Sequence, residues 1–179
     1  MIDNQENLYE STIEIKRVTK VVKGGKRMKL SAIIVVGDRN GKVGVGHGKA
    51  QEVAQAIRKA REKAKKSMIE LSVGKRTVPH WVESKFSASK VIIKPASPGT
   101  GLIASPPVRA ILEACGVKDA LTKSLGSNSP YNLAIATIKA LQQLRTLEQV
   151  AILRNKPISH FMEQKNGKKE EVFESQTEA

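Results

Sequence analysis

Residues 41–49 read Gly41-Lys-Val-Gly-Val-Gly-His-Gly-Lys49, and within them Gly44, Gly46 and Gly48 recur at every second position. Successive side chains of a β-strand point to opposite faces, so this spacing leaves one face of the strand without side chains. Another part of the backbone can approach that bare face closely. We therefore predict a strand from Lys42 to Gly48, bulged or kinked by its glycines, with a close backbone neighbour.

The preceding segments predict the rest of a small sheet. Ser11 to Lys23 alternates apolar and polar residues with one irregularity, and Met28 to Gly37 is rich in β-branched residues. Gly24 and Gly25 separate these two strands, and Asp38-Arg-Asn-Gly41 is a strong turn signal. These patterns predict three antiparallel strands.

A helix is predicted after the sheet, from Gln51 onward. Its apolar residues recur at steps of three and four and therefore share one stripe: Val53, Ile57, Ala60, Ala64, Met68 and Leu71. Its other faces carry cations, whose stems can cover apolar surface while their charges stay in water: Arg58, Lys59, Arg61, Lys63, Lys65 and Lys66. The sheet and this helix predict an α+β fold for the first domain.

The second half of the chain predicts further strands and helices. Pro106-Pro107 suits the first turn of a short helix, and Gly116 suits its end. The predicted elements are, in order, strand Lys90–Lys94, helix Val108–Cys115, strand Lys118–Gly126, and helices Tyr131–Leu144 and Leu147–Asn155.

The chain is strongly basic, with 31 Lys and Arg against 17 Asp and Glu, a net charge of +14 and a pI near 10.0. Residues 16–109 hold twenty-two basic residues against five acidic ones, residues 110–179 hold nine against eight, and residues 1–15 hold four acidic residues and no basic one. The first half is therefore expected to face a polyanion, with nucleic acid as the first candidate. We expect an acidic arm over residues 1–10, an RNA-binding domain over 11–75, a polar connector over 76–89, a protein-interaction domain over 90–155 and a mobile tail over 156–179.

Composition excludes several kinds of site. Cys115 is the single cysteine, and His47, His80 and His160 stand far apart, so neither a disulfide nor a metal site is expected. No apolar run approaches the roughly 20 residues that span a bilayer, and the acidic N-terminus is unlike a targeting peptide. We therefore expect a protein of the cytosol or of an organelle interior, and we find no complete catalytic set in the sequence.

Two glycine-containing segments are candidate RNA contacts. Lys23-Gly-Gly-Lys26-Arg27 puts a glycine pair among three cations at a hairpin tip, which favours phosphate contact over a merely solvated loop. Residues 12–49 contain no aromatic side chain on which bases could stack, so recognition by phosphate charge and by the shape of folded, A-form RNA is expected. The glycine-rich strand adds five candidates: Lys42, Gly44, Gly46, His47 and Lys49. It is not a nucleotide-binding loop, because it lacks the Walker A spacing and its hydroxyl residue.

Pro98-Gly-Thr-Gly101 is the most enzyme-like segment. Its backbone amides and the helix that follows can hold an anion, and it resembles the glycine-rich loop of small-molecule kinases for homoserine and mevalonate. No carboxylate lies in the loop to organise Mg²⁺. A small-molecule kinase therefore remains a minor alternative.

Five blocks occur in a fixed order along the chain: Lys20-Val-Val-Lys-Gly-Gly-Lys26, Val35-Val-Gly-Asp-Arg-Asn-Gly-Lys42-Val-Gly44, Gly46-His-Gly-Lys-Ala50, Pro95-Ala-Ser-Pro-Gly-Thr-Gly101 and Leu125-Gly-Ser-Asn-Ser-Pro130. Together they resemble the bacterial-type small-subunit ribosomal protein five family, from about Ser11 to Val150. The resemblance implies an N-terminal domain similar to a double-stranded-RNA-binding domain, with a three-stranded antiparallel sheet plus a helix. It implies a C-terminal two-layer domain of βαβ type.

The same resemblance implies a function. It implies a structural constituent of the small (30S) ribosomal subunit that binds 16S-type rRNA where the body meets the head, lines the path by which mRNA enters and supports translational accuracy. It implies contacts with ribosomal proteins four and eight in the cytoplasmic ribosome, with no enzyme activity, cofactor, membrane or homo-oligomer. Transferred by position, the RNA-probing loop comprises Lys20, Lys23, Gly24, Gly25, Lys26 and Arg27, and the protein interface comprises Gly99, Gly101 and Arg109.

One departure limits the resemblance. Gln51 and Glu52 open the helix where double-stranded-RNA-binding domains have lysines, so the duplex-binding mode of that fold is not implied here. A free double-stranded-RNA-binding regulator and a small-molecule kinase stay as the alternative functions.

Overall fold

The computed structural model describes residues 8–74, 76–159 and 161. Two compact units are distinguished, one ending at Leu144 and the other starting at Arg145. The first contains two four-stranded sheets, and the second contains the helix α4, Leu147–Leu153. Most of the expected acidic arm, His160 and most of the expected tail lie outside the described residues.

The first sheet is antiparallel, as predicted from its turns. Its strands lie in the order β1-β2-β3-β4 and comprise β1 Tyr9–Val22, β2 Gly25–Gly37, β3 Lys42–Ala50 and β4 Ile69–Glu70. The short β4 adds a fourth strand to the three that were expected. Strand β1 has one irregularity, a shift of its register with β2 between Thr12 and Glu14, which lies earlier than the break in alternation between Ile15 and Val18. The bulge predicted for β3 is wrong, because β3 pairs with β2 in an unbroken register from Val43 to Ala50.

Helix α1, Val53–Lys66, is the close neighbour that the glycines of β3 admit. A Cβ atom on Gly44 would collide with the carbonyl oxygen of Ala64, one on Gly46 with that of Ala60, and one on Gly48 with that of Ala56. The bare face of the strand therefore lies against the helix backbone, at a separation that only small residues permit.

This close approach corrects the predicted helical stripe. The buried residues of α1 are Ala56, Ala60 and Ala64, whereas Val53 is 42% exposed and Ile57 is only partly buried. Large side chains cannot enter the space between the glycines and the helix, so they lie at its margins. The predicted stripe is therefore wrong at Val53, whereas Ile57 still packs against the buried alanines from the margin.

The second sheet has the order β5-β6-β8-β7 and is of βαβ type. Its elements are β5 Val82–Phe86, β6 Ser89–Pro95, β7 Leu102–Ile103, α2 Pro106–Cys115, β8 Ala120–Gly126 and α3 Pro130–Gln142. Strands β7 and β8 pair in parallel across α2, and the other neighbouring pairs are antiparallel. Strand β5 lies within residues 76–89, the segment expected to be a polar connector. The core of this half contains Ile93, Ile111, Leu112, Leu133 and Leu141, all at most 2% exposed.

The turn between β2 and β3, residues 38–41, is bound to the end of α2. The last carbonyl groups of a helix have no partners within it. Here the backbone N–H of Arg39 donates to the carbonyl oxygen of Ala114 at 2.9 Å, and that of Gly41 donates to that of Cys115 at 3.1 Å. The Tyr9 hydroxyl donates to Glu113 Oε2 at 3.0 Å beside them. The two sheets are thus joined by hydrogen bonds as well as by apolar packing, and the domain boundaries expected from the sequence stay a prediction.

Candidate nucleic-acid interface

The hairpin of β1 and β2 extends beyond the rest of the first sheet. Pairing of β2 with β3 ends at Leu30 and Ala50, whereas β1 and β2 remain paired as far as Val22 and Gly25. Residues 17–29 therefore form a two-stranded ribbon, in which every residue except Val22 is exposed. The glycine pair lies at the predicted hairpin tip. There Gly25 has a φ of 133°, which glycine adopts without strain.

One face of this ribbon is a basic groove, which we call the ribbon groove. Lys20 lies directly opposite Arg27, and Lys29 lies opposite Val18. The groove has a volume of about 450 Å³ and is lined by Val18, Thr19, Lys20, Val22, Arg27, Lys29 and Lys49. Like charges directly opposite each other across two strands are destabilising, so an anion between them is favoured. The groove is thus suited to phosphate, with the valines as an apolar floor.

A second groove, the helix groove, runs between β3 and α1. It also has a volume of about 450 Å³, and it is lined by His47, Gly48, Lys49, Lys59, Glu62, Lys63 and Lys66. The close packing of glycine on alanine brings the helix near enough for its lysines to border the strand. Lys59, Lys63 and Lys66 are spaced four and three residues apart, which places them on one helical face. That spacing is the signal by which the sequence could have identified them as site residues.

Lys49 lines both grooves and therefore makes them one continuous basic surface. The surface carries a single acidic side chain, Glu62, which already pairs with Arg58 at 3.2 Å. Within the described residues, the salt bridges include none of the seven cations that line the grooves, which are Lys20, Arg27, Lys29, Lys49, Lys59, Lys63 and Lys66. The arrangement favours an extended polyanion over a single small anion.

His47 is partly buried on one side of the helix groove. Its Nε2 atom lies 2.7 Å from Ser31 Oγ, and its ring centroid lies 5.5 Å from that of Tyr131. Burial, followed by the positive charges of Lys49 and Lys63, lowers the pKa of His47 below its ordinary value. This shift favours the neutral imidazole, so the histidine forms part of the wall of the groove.

Three residues predicted as RNA contacts lie apart from this surface. Gly44 and Gly46 are buried beneath α1, and their bare faces meet helix backbone instead of solvent. Lys42 begins β3, seven residues from Lys49, or roughly 23 Å along an extended strand. Among the other candidates, Lys20, Arg27 and Lys49 line the ribbon groove and His47 lines the helix groove. Residues 23–26 are exposed at the tip of the ribbon and line neither groove.

The loop around Gly99 and Gly101 is organised by a buried carboxylate. Asp119, which is 2% exposed, accepts hydrogen bonds from the backbone N–H of Gly99 at 3.0 Å and of Gly101 at 2.9 Å. It also accepts one from Arg76 Nε at 2.6 Å. The hydrogen bond from Arg76, followed by the one from Gly101, holds the pKa of Asp119 below its ordinary value. Arg109 joins the same loop through a 3.2 Å hydrogen bond to the carbonyl oxygen of Leu102.

This carboxylate weakens the case for a nucleotide-binding loop. The amides that would hold a phosphate already donate to Asp119, and a second anion there would face a buried negative charge. The loop instead presents Gly99, Gly101 and Arg109 together, which is the grouping that the resemblance implies for a protein interface. Asp119 was not among the predicted site residues, because its hydrogen-bond partners lie 18 to 43 residues away along the chain.

The remaining candidate groups have ordinary structural surroundings. Cys115 is 3% exposed, and burial raises the pKa of its thiol to about 12, so it is a packed side chain rather than a nucleophile. Across residues 8–74, 76–159 and 161, no three potential metal ligands come together. Within that same part of the chain, no helix has the length and apolar character needed to cross a membrane.

Comparison with known protein families gives two matches that follow one another along the chain. The family model for Ribosomal protein S5, N-terminal domain, matches residues 8–72. The model for Ribosomal protein S5, C-terminal domain, matches residues 84–154. The two matches cover most of the chain and correspond to the first sheet with α1 and to the second sheet with its helices.

Proposed function

The chain belongs to the ribosomal protein S5 family, and from that premise we propose that the ribbon groove and the helix groove together bind small-subunit rRNA. The family consists of small-subunit ribosomal proteins, for which rRNA binding is general. The proposal adds the surface through which this chain does so. The observation that carries it is that Lys49 lines both grooves and so joins seven cations into one surface.

Binding in these grooves is expected to depend on phosphate charge and on RNA shape. The ribbon presents cations with aliphatic side chains between them, and neither groove is lined by Phe, Tyr or Trp. Bases therefore have no Phe, Tyr or Trp ring in either groove on which to stack, whereas folded RNA brings phosphates of adjacent segments close together. The projecting ribbon can enter a gap between segments of folded RNA while α1 lies against the surface of the RNA.

The second half is proposed to contact neighbouring small-subunit proteins, among them ribosomal proteins four and eight. Asp119 supports this role because it fixes the loop that carries Gly99 and Gly101 in one shape before any partner binds. A preorganised loop loses little conformational entropy on binding. From the family resemblance we also propose a non-catalytic protein of the cytoplasmic ribosome, positioned along the path of incoming mRNA and supporting translational accuracy.

The rRNA surface is tested by a matched pair of substitutions on one strand. Lys49→Gln and Lys42→Gln remove the same charge from exposed positions at opposite ends of β3. Binding of the purified chain to small-subunit rRNA is measured over a range of salt concentrations. Lys49→Gln is expected to lower the slope of log K against log salt by about 0.9, and Lys42→Gln to leave it unchanged.

A triple variant extends this test to the ribbon. Lys20→Gln, Arg27→Gln and Lys49→Gln together are expected to lower the slope by up to about 3. Equal slopes for the Lys49 and Lys42 variants would contradict the proposed surface. Sedimentation of the tagged chain away from small subunits would contradict ribosomal function itself and favour a free RNA-binding regulator.

A further inference from the structure

The second sheet has an exposed outer face, opposite the side that is covered by helices. Along β6, the buried residues Ser89, Val91 and Ile93 alternate with Lys90, Ile92 and Lys94. Helices α2 and α3 pack against the buried side of the sheet. The alternate side chains of β5, β6 and β8 therefore form a continuous outer face.

Strand register arranges this outer face in three rows. Lys85, Lys90 and Leu125 form the first row, Glu83, Ile92 and Lys123 the second, and Lys94, Leu121 and Ile103 the third. Each row therefore combines cationic and aliphatic side chains from neighbouring strands. The outer face presents four lysines, four aliphatic residues and one glutamate.

The charges of this face are only partly compensated. Lys90 pairs with Glu83 at 3.0 Å, and Lys85 lies directly opposite Lys90. Within the described residues, the salt bridges do not include Lys85, Lys94 or Lys123. A like-charged pair directly opposite across two strands favours an added anionic group.

We propose that the outer face binds a protein segment in which acidic side chains flank aliphatic ones. The aliphatic groups decide between protein and RNA: Leu121 is 39% exposed, Leu125 is 41% exposed and Ile103 is 54% exposed. Phosphates would pair with the lysines and leave these side chains in water, whereas an acidic, aliphatic protein segment covers both. The inference rests on the proposed function, because the partner is a component of the small subunit.

The test uses photocrosslinking within assembled small subunits. Leu121 is replaced by photoreactive benzoylphenylalanine, subunits containing the chain are purified by sedimentation and irradiated, and the crosslinked partner is identified by mass spectrometry. The expected product is a protein segment with Asp or Glu beside aliphatic residues. Lys85→Glu with Lys123→Glu is expected to lower its yield about fivefold or more, since two ion pairs become repulsive contacts. Lys118→Glu, an exposed lysine off the sheet face, is the matched control and should leave the yield unchanged.

The outcomes separate this inference from the proposed function. A crosslink to rRNA, a crosslink to a segment without acidic residues, or a yield insensitive to the double reversal would overturn the inference while the chain still sedimented with small subunits. Failure of the wild-type chain to enter small subunits would contradict the proposed function, and this inference with it. If the reversed chain does not fold, as judged by circular dichroism, Lys85→Gln with Lys123→Gln replaces it, with a smaller fall in yield expected.

Discussion

The two ends of the first sheet differ in what holds them. At the anchored turn, residues 38–41, the N–H groups of Arg39 and Gly41 donate to the end of α2, and the Arg39 guanidinium lies 4.4 Å from the centre of the Tyr9 ring. At the ribbon tip, Gly24 and Gly25 have nothing within 4 Å of where a Cβ atom would lie. The anchored turn fixes the sheet within the molecule, and this leaves the ribbon at its other end available for an external polyanion.

The contact between β3 and α1 lies between the anchored turn and the ribbon. A substitution in this contact is expected to have the largest effect on stability. Gly46→Val places a side chain against the backbone of Ala60 and Ala64, and should cost about 3 kcal/mol of unfolding free energy or more, because neither backbone can move aside alone. Urea unfolding followed by circular dichroism measures this loss. Gly24→Ala, at the ribbon tip, is the control and should change the stability by less than about 0.5 kcal/mol. Equal stabilities would contradict the packing described for β3.

Two glycines with positive φ sharpen the contrast between the ends. Gly116, at the C-terminus of α2, has a φ of 88°, and its Cβ position meets the carbonyl oxygen of Arg39, whereas Gly25 has a φ of 133° and open space. Gly116→Ala should therefore cost about 2–3 kcal/mol, and Gly25→Ala only the backbone strain of about 1 kcal/mol. Thermal melts of the two variants would contradict the comparison if Gly25→Ala proved the more destabilising.

The loop held by Asp119 is an anchored segment of a different kind, because its anchor titrates. Asp119→Asn should lower the stability at pH 7 by about 1–2 kcal/mol, since three hydrogen bonds to a charged carboxylate are weakened. The folded-state pKa of Asp119 is depressed, so its stabilisation is present above the unfolded value of about 3.9 and is lost as the pH falls through the folded value. The difference between wild type and variant should therefore shrink below about pH 4. A difference independent of pH would show that the carboxylate charge has no part in holding the loop.

The smallest loss of stability is expected when the side-chain contact beside the anchored turn is removed. Tyr9→Phe removes the hydrogen bond to Glu113 and should cost about 0.5–1.5 kcal/mol. Val21→Ala, on the ribbon, removes a side chain that is 73% exposed and should change the stability by less than about 0.5 kcal/mol. A double-mutant cycle with Glu113→Gln measures the coupling, and a coupling near zero would remove Tyr9 from the set of contacts that anchor this end.

Local patterns in the sequence predicted most of the fold. The β-branched runs, the turn residues and the end of α2 at Gly116 all lie where the sequence placed them. Strand β5 was not predicted because one of its two buried positions is the polar Ser84 and only the other, Val82, is apolar, so the segment resembles a polar connector. Period-two glycines predicted a close backbone approach but carried no information about which backbone approaches. That is why Gly44 and Gly46 were predicted to contact RNA and instead lie under α1.

Of the seven cations that line the grooves, Lys20, Arg27 and Lys49 were predicted, because each lies in a glycine-containing motif of the sequence. The ribbon residues Lys20 to Arg27 form one run, and the resemblance identified them together. The helix groove depends on how close α1 lies to β3, and no pattern in the helix alone reports that separation. Asp119 and Arg76 are brought together only by the tertiary structure, so no local sequence pattern could predict their hydrogen bond.

The anchored turn also constrains the order in which the protein can be completed during its own synthesis. Arg39 and Gly41 leave the translating ribosome well before Ala114 and Cys115, whose carbonyl groups are their acceptors. Strands β1 to β3 can pair early, but this end of the sheet gains its hydrogen-bond partners only once α2 has emerged and folded. The nascent chain therefore presents its basic ribbon to surrounding RNA before the opposite end of the sheet is fastened.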